Sequence, residues 1–181
     1  MGTLCYTPVS SEEELQGFDC GNASINDMIS RSFYPHILKQ IKASKISIQG
    51  KCVGFYSISI LGISLEHSDA PLADYFDGSS SFGAVMLNYL AIDKRIHHRN
   101  IGSNVLKYVI SEVQSLYRIY PIRLLVLDAL MDKVGWYTKF GFVPINQKDL
   151  TGPTETVRMF LDIMPDEDKQ YIEKYTDYYY C

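Results

Sequence analysis

The sequence predicts a mixed α/β sandwich built around one sheet, and three observations carry that prediction. A chain of 181 residues is the size of one ordinary domain and buries enough surface, roughly 70%, to need no staples. Its apolar share of 46% and charged share of 21% are globular values, which exclude disorder, collagen and coiled coil. Along the chain the hydrophobic period changes in a fixed order: a hairpin, then strand, helix, strand, helix and two closing strands.

Ser11 followed by Glu12, Glu13 and Glu14 is a helix start with acids in its first turn. Ser24, with Asp27 three residues on, resembles a capping box. Ile25, Met28, Ile29 and Phe33 then recur at the spacing of a helix face, which Pro35 should end or kink near Tyr34. Ser44–Ile48 and Cys52–Ile60 alternate around the turn Gln49-Gly50-Lys51 and read as a hairpin. Ser68–Gly83, rich in Asp, Ser, Gly and Pro, reads as a loop long enough to carry function or to move.

Ala84–Ile92 is a nearly continuous apolar run of strand length. A helix over 101–117 follows, its buried stripe made by Val105, Leu106, Val109, Ile110, Val113 and Leu116. Leu124–Leu127 is another buried strand, and Asp132–Phe140 a short helix closed by Gly141. Phe142–Ile145 and Thr156–Ile163 are the last strands, and Asp166–Tyr175 a terminal helix. With no repeat and no low-complexity linker, residues 1–163 are expected to form one domain, with 164–181 a helical appendage of it.

Residues 1–10 have neither the basic stretch nor the apolar core of a secretory signal, and no apolar run approaches a membrane span. Cys5, Cys20, Cys52 and Cys181 lie far apart and form no ligand pair, so free thiols in a reducing compartment are expected. A cytoplasmic protein with no metal and no membrane partner follows. Seventeen Lys and Arg against 21 Asp and Glu leave a formal charge of -4, which disfavours whole-chain binding to a polyanion. Residues 94–148 nevertheless hold nine Lys and Arg against three Asp and Glu, a local +6. That stretch suits a phosphorylated ligand, an RNA backbone or an ordinary solvated face.

The strand 84–92, the loop His97-His98-Arg99-Asn100-Ile101-Gly102 and the helix after it have the layout of an anion site. First-turn N–H groups lack intrahelical partners and sit at the positive end of the helix dipole. Gly102 lets a ligand approach the backbone, and Arg99 adds a positive charge. Packing alone also explains a glycine near a helix start.

Arg99-Asn100-Ile101-Gly102 resembles the pyrophosphate loop of the GNAT acetyltransferases, Arg/Gln-x-x-Gly-x-Gly/Ala, with His97 at the Arg/Gln position, Asn100 at the first Gly and Gly102 at the last. Leu90-Ala91-Ile92-Asp93 resembles that family's L-A-V-D strand end, and Gly135–Phe142 its A-x-x-F-Y-x-x-x-G-F segment. Phe18-Asp19-Cys20-Gly21-Asn22-Ala23-Ser24-Ile25-Asn26 is similar to F-D-C-G-x-x-S-L-N, typical of the GNAT subgroup that contains aminoacyl-tRNA-acetylating toxins of toxin–antitoxin pairs. The resemblance runs in order over residues 6–163.

It implies a GNAT fold, a mostly antiparallel sheet with a V-shaped splay and helices on both faces, and acetyl-CoA as acetyl donor. It places the donor against Leu90, Ala91, Ile92, His97, His98, Arg99, Asn100, Ile101, Gly102 and Ser103. Backbone N–H groups of Leu90, Ala91 and Ile92 would face the thioester carbonyl, and Tyr137 would protonate the departing sulfur. The acceptor is an amine, with aminoacyl-tRNA one candidate; an antitoxin protein and a second copy of the chain are candidate partners. Two alternatives stay open: an acetyltransferase for a small-molecule or peptide amine, and a non-catalytic acyl-CoA-binding module. Glu66, His67 and Asp128 are the candidate general bases, by their places near strand ends. An α-amino acceptor, with a pKa of about 8, would manage without one.

Overall fold

The computed structural model describes residues 2–64 and 81–179. The expected loop over 68–83 therefore falls largely outside the described residues, as do Glu66, His67 and Cys181. The elements are β1 (Leu4–Pro8), α1 (Ala23–Ser30), α2 (Phe33–Ile37), β2 (Lys42–Ile48), β3 (Lys51–Ser64), β4 (Ser81–Ile92), α3 (Ile101–Tyr117), β5 (Ile122–Leu130), α4 (Val134–Thr138), β6 (Val143–Pro144), β7 (Thr156–Asp162) and α5 (Asp166–Tyr179). The strands form one seven-stranded sheet in the order β1-β2-β3-β4-β5-β7-β6.

The hairpin is present, antiparallel, with Lys42 opposite Ile58 and a register shift at Ile46/Ser47. β1 is an edge strand that the sequence pattern did not reveal. It pairs antiparallel with β2, Leu4 opposite Ile48 and Pro8 opposite Ser44. Its burial alternates only between half-buried and exposed over Leu4–Thr7, a period-2 pattern too short and too shallow to read from five residues.

Two further boundaries differ from expectation. The cap of α1 is Asn22, whose side chain accepts the Ile25 N–H at 3.1 Å, and not Ser24. Pro35 does not end the helix. The chain breaks earlier, at Arg31–Ser32, and Pro35 lies in the first turn of α2, where its missing N–H costs no helical bond. The break is satisfied locally: Ser32 Oγ donates to Ile29 O at 2.7 Å and accepts from the Tyr89 hydroxyl at 2.9 Å.

Two compact units divide the chain. The first comprises Met1–Leu61, Val85–Val109 and Val126–Asp128; the second comprises Gly62–Ala84, Ile110–Leu125 and Ala129–Cys181. In the first, Val9, Leu15, Ile29, Ala43, Phe55, Tyr89 and Ala91 make one buried cluster, with Phe18, Cys20, Ile25, Phe33 and Ile41 packed against it. The predicted stripe of α3 is buried at Val105, Leu106, Val109 and Val113 and half-buried at Ile110 and Leu116.

In the second unit, Ile163 N–H donates to Arg123 O and Met131 N–H to Glu155 O, so β5 and β7 run in opposite directions. An ion pair of Arg123 with Asp162, at 3.2 Å and mostly shielded from solvent, ties the same two strands. A Cβ placed on Gly83 would lie 2.0 Å from Pro121 O, so β4 and β5 begin side by side. Strands that start together and are joined through a helix run parallel, the one such pair this crossover requires.

Gly54 marks the tightest approach in the first unit, where an added Cβ would lie 2.3 Å from Ala91 O and 3.0 Å from Ile92 Cδ1. The obstacle is backbone, which cannot swing aside. Gly54→Ala is expected to destabilise the fold by about 1–3 kcal/mol in urea unfolding. A change below about 0.5 kcal/mol would show that β3 and β4 have room to part.

Candidate functional site

β4 ends in a sharp change of backbone partner. A residue's N–H and C=O point to one side of a strand, and those of the next residue to the other. Asp93 N–H donates to Val53 O at 2.9 Å, and Ala91 O lies against Gly54, so Ala91 and Asp93 face β3. Leu90 and Ile92 face the other side. The Ile92 carbonyl there is held by a side chain: the His97 imidazole Nε2 lies 2.8 Å from it. Of the three backbone N–H groups assigned to a thioester carbonyl, those of Leu90 and Ile92 therefore point away from β3, while that of Ala91 points toward it.

Asp93, 6% exposed, organises the next three residues. Its Oδ1 accepts from the Arg95 N–H and Nε, both at 2.9 Å, and its Oδ2 from Arg95 Nη2 at 2.5 Å. The Arg95 guanidinium holds the Asp93 carboxyl below the usual carboxylate range. Lys94 is equally engaged, its Nζ 2.5 Å from Asp19 Oδ2. Arg99 is exposed and, among the described residues, pairs with no carboxylate. Among the described residues the loop thus carries two cations paired with carboxylates, Lys94 and Arg95, and one, Arg99, that is not.

His98 and Asn100 take positive φ, 63° and 57°. Asn is among the residues that tolerate this left-handed region best, and it stands where the resembled motif has glycine. The first internal bond of α3 is Asn104 N–H to Asn100 O, 3.1 Å. The N–H groups of Ile101, Gly102 and Ser103 precede that bond and lie outside the helix ladder. Ile101 is 4% exposed and anchors this first turn in the core. Backbone N–H groups and the positive end of a 17-residue helix, beside an uncommitted Arg99, are what an anionic ligand requires. His97 and His98 do not make a chelating pair: their rings stand 6.2 Å apart and nearly perpendicular.

Tyr137 belongs to the second unit. It lies in α4, in an aromatic group with Trp136 at 4.7 Å and Phe142 at 5.7 Å, while Trp136 meets Phe140 at 5.3 Å. Gly141, at φ 88°, turns the chain so that Phe142 N–H returns to Tyr137 O. The α-helical turn is shorter than the expected 132–140, because Met131–Lys133 forms a 3₁₀ turn before it. The phenol makes no hydrogen bond to a described residue, and burial of its ring pushes its pKa up to about 12. It therefore stays protonated, an available O–H donor, at any physiological pH. Asp128 is exposed on β5, in the first unit.

Sequence reasoning missed the partners that fix the loop: Asp93, and the Asp19–Asn26 pair inside the phrase Phe18–Asn26. The phrase was visible; nothing in its spacing says what it touches.

No protein-family model matches the chain. A tRNA-acetylating toxin of Mycobacterium tuberculosis (strain ATCC 25618 / H37Rv) is 24% identical over 136 residues, 74% of this chain and 81% of the relative. Among solved structures, AtaT complexed with acetyl-methionyl-tRNAfMet superposes with a TM-score of 0.72 at 20% identity, covering 88% of this chain and 95% of that one. A tyrosine-to-phenylalanine mutant of AtaT bound to acetyl-CoA and the C-terminus of the antitoxin AtaR gives 0.69 at 19% identity, covering 89% and 94%. The chain has the GNAT fold that its sequence motifs predict. Among the described residues no helix is long and apolar enough to cross a membrane.

The start of α3 yields a direct test. Asn100→Gly relieves the left-handed strain and should leave stability unchanged within a few tenths of a kcal/mol, whereas Asn100→Val should lose about 1–2 kcal/mol in denaturant unfolding. Equal stability of the two variants would show that residue 100 is free to leave its positive φ.

Proposed function

We propose that this chain is an acetyl-CoA-dependent N-acetyltransferase whose acceptor is the α-amino group of an aminoacyl-tRNA. The observation that carries the reading is the start of α3, where three N–H groups outside the helix ladder lie next to an exposed Arg99 that pairs with no carboxylate among the described residues, in a chain of GNAT fold. Residues 1–163 are taken as the acetyltransferase domain and 164–181 as its appendage. The described cysteines Cys5, Cys20 and Cys52 are free thiols, which fits a cytoplasmic setting. An antitoxin protein is the expected partner, as it is for the toxin AtaT.

In this reading Arg99 and the N–H groups of Asn100–Ser103 bind the pyrophosphate of the acetyl donor, with His98 beside them. His97 acts one step back, holding the end of β4 through the Ile92 carbonyl. The neutral amine attacks the thioester carbon, a C–N bond forms, and the negative charge on oxygen is met by the N–H groups of Leu90 and Ile92, which face away from β3. The C–S bond then breaks, the nitrogen loses a proton and the sulfur gains one. Tyr137 supplies the hydrogen bond to that sulfur. A phenol near 12 and a thiol near 8.5 differ by about 3.5 units, or about 5 kcal/mol, so a complete early transfer is disfavoured. The hydroxyl works as a donor that strengthens as the thiolate develops, with the amine's proton closing the balance.

Tyr137→Phe keeps the ring and its packing and removes only the hydroxyl. Its kcat should fall by about 10²–10⁴-fold while affinity for acetyl-CoA is retained, measured by free-thiol release and titration calorimetry. A rate within about threefold of wild type, at unchanged thermal stability, removes Tyr137 from the mechanism.

The acceptor is tested by salt. Acetylation of aminoacyl-tRNA should fall steeply between about 50 and 200 mM salt, because each phosphate contact releases a counterion. Activity on an amine that is indifferent to salt over this range points instead to a small-molecule or peptide acceptor.

A further inference from the structure

The phrase Phe18–Asn26 lies against the start of the anion loop, within the first unit. Lys94 is held at two points: its N–H donates to Asp19 O at 3.0 Å, and its Nζ reaches Asp19 Oδ2 at 2.5 Å. Asp19 is itself fixed, its Oδ1 accepting from the Gly21 N–H at 2.7 Å and from Asn26 Nδ2 at 3.0 Å. Asn26 is fixed in turn by the Cys20 N–H at 3.0 Å and Sγ at 3.1 Å. Gly21 adopts φ 86°, a turn suited to glycine, with its missing Cβ aimed at Lys94. The chain of contacts ends in the core, since Asn26 lies on α1 between Ile25 and the buried Ile29.

We infer that Asp19 is a positioning residue for the acetyl donor: it pins Lys94, and with it the strand end from which residues 97–102 depart. This rests on the acetyltransferase reading above. Both side chains are about half exposed, 56% for Lys94 and 44% for Asp19, and exposed pairs add little to stability. The link matters for geometry. The loop it anchors carries two non-glycine residues at positive φ, a strained state that persists only where the surroundings over-determine it.

The test uses the full chain carrying Asp19→Asn, Lys94→Met, both together, or Lys94→Arg, with acetyl-CoA as the probe. Asp19→Asn and Lys94→Met should each weaken binding about tenfold in titration calorimetry and raise KM for acetyl-CoA, with kcat at saturation within about twofold of wild type. The double variant should be no weaker than the weaker single variant, since both break one link, and Lys94→Arg should bind as wild type does. Lys94 is exposed, so its variants fold even where an Asp19 variant does not. If Lys94 contacts the donor directly, Asp19→Asn frees it and binding tightens, which overturns the inference. Unchanged affinity in Asp19→Asn, or a kcat that falls in step with affinity and melting temperature, overturns it as well. A wild-type chain that fails to bind acetyl-CoA removes the acetyltransferase reading and the inference together; wild-type binding alongside undisturbed variants removes the inference alone.

Discussion

The chemistry available to this chain depends on how β4 stops. A strand that simply ran on would spend every N–H and carbonyl on its neighbours and offer nothing to a ligand. Here Asp93 keeps the bond to β3, while the Ile92 carbonyl, on the other side, is taken by the His97 imidazole. The backbone leaves the sheet within a few residues, passes through two positive-φ positions and enters α3 with its first N–H groups outside the ladder. Strand end, loop and helix start are thus continuous, each fixing where the next begins.

Charge is handled with the same economy. The chain is acidic overall, yet the loop gathers Lys94, Arg95 and Arg99 within six residues. Two of these are neutralised by carboxylates that also shape the backbone, Asp19 on Lys94 and Asp93 on Arg95. Each partner lowers its carboxyl's pKa, so both stay ionised and the pairing holds at any pH near neutrality. What faces outward is Arg99 and a helix dipole, a modest positive site suited to a ligand that brings its own charge.

Tyr137 is governed by the opposite rule. Its environment is aromatic and half-buried, and desolvation alone raises its pKa. The same burial that makes the phenol a reluctant acid keeps it neutral, an O–H that no described residue accepts. Desolvation therefore favours hydrogen bonding to a developing charge over outright proton release.

The sequence by itself determined the elements whose residues repeat with a clear period. The hairpin, the buried run of β4, the stripe Val105–Val113 of α3 and the turn at Gly141 all follow from local preferences that burial then reinforces. It also marked the anion loop, because a strand, a short polar stretch and a helix start are local patterns. It could not mark β1, whose pairing with β2 is a long-range event, nor the break before α2, which Ser32 and Tyr89 stabilise across 57 positions of chain. The carboxylate that holds Lys94 comes from 75 residues earlier, and the pKa of Tyr137 is set by rings brought around it. Periodicity reports which face of an element is buried. Which residue meets which, and how dry the meeting is, is decided only when the chain folds back on itself, because those energies belong to pairs and no single residue carries them.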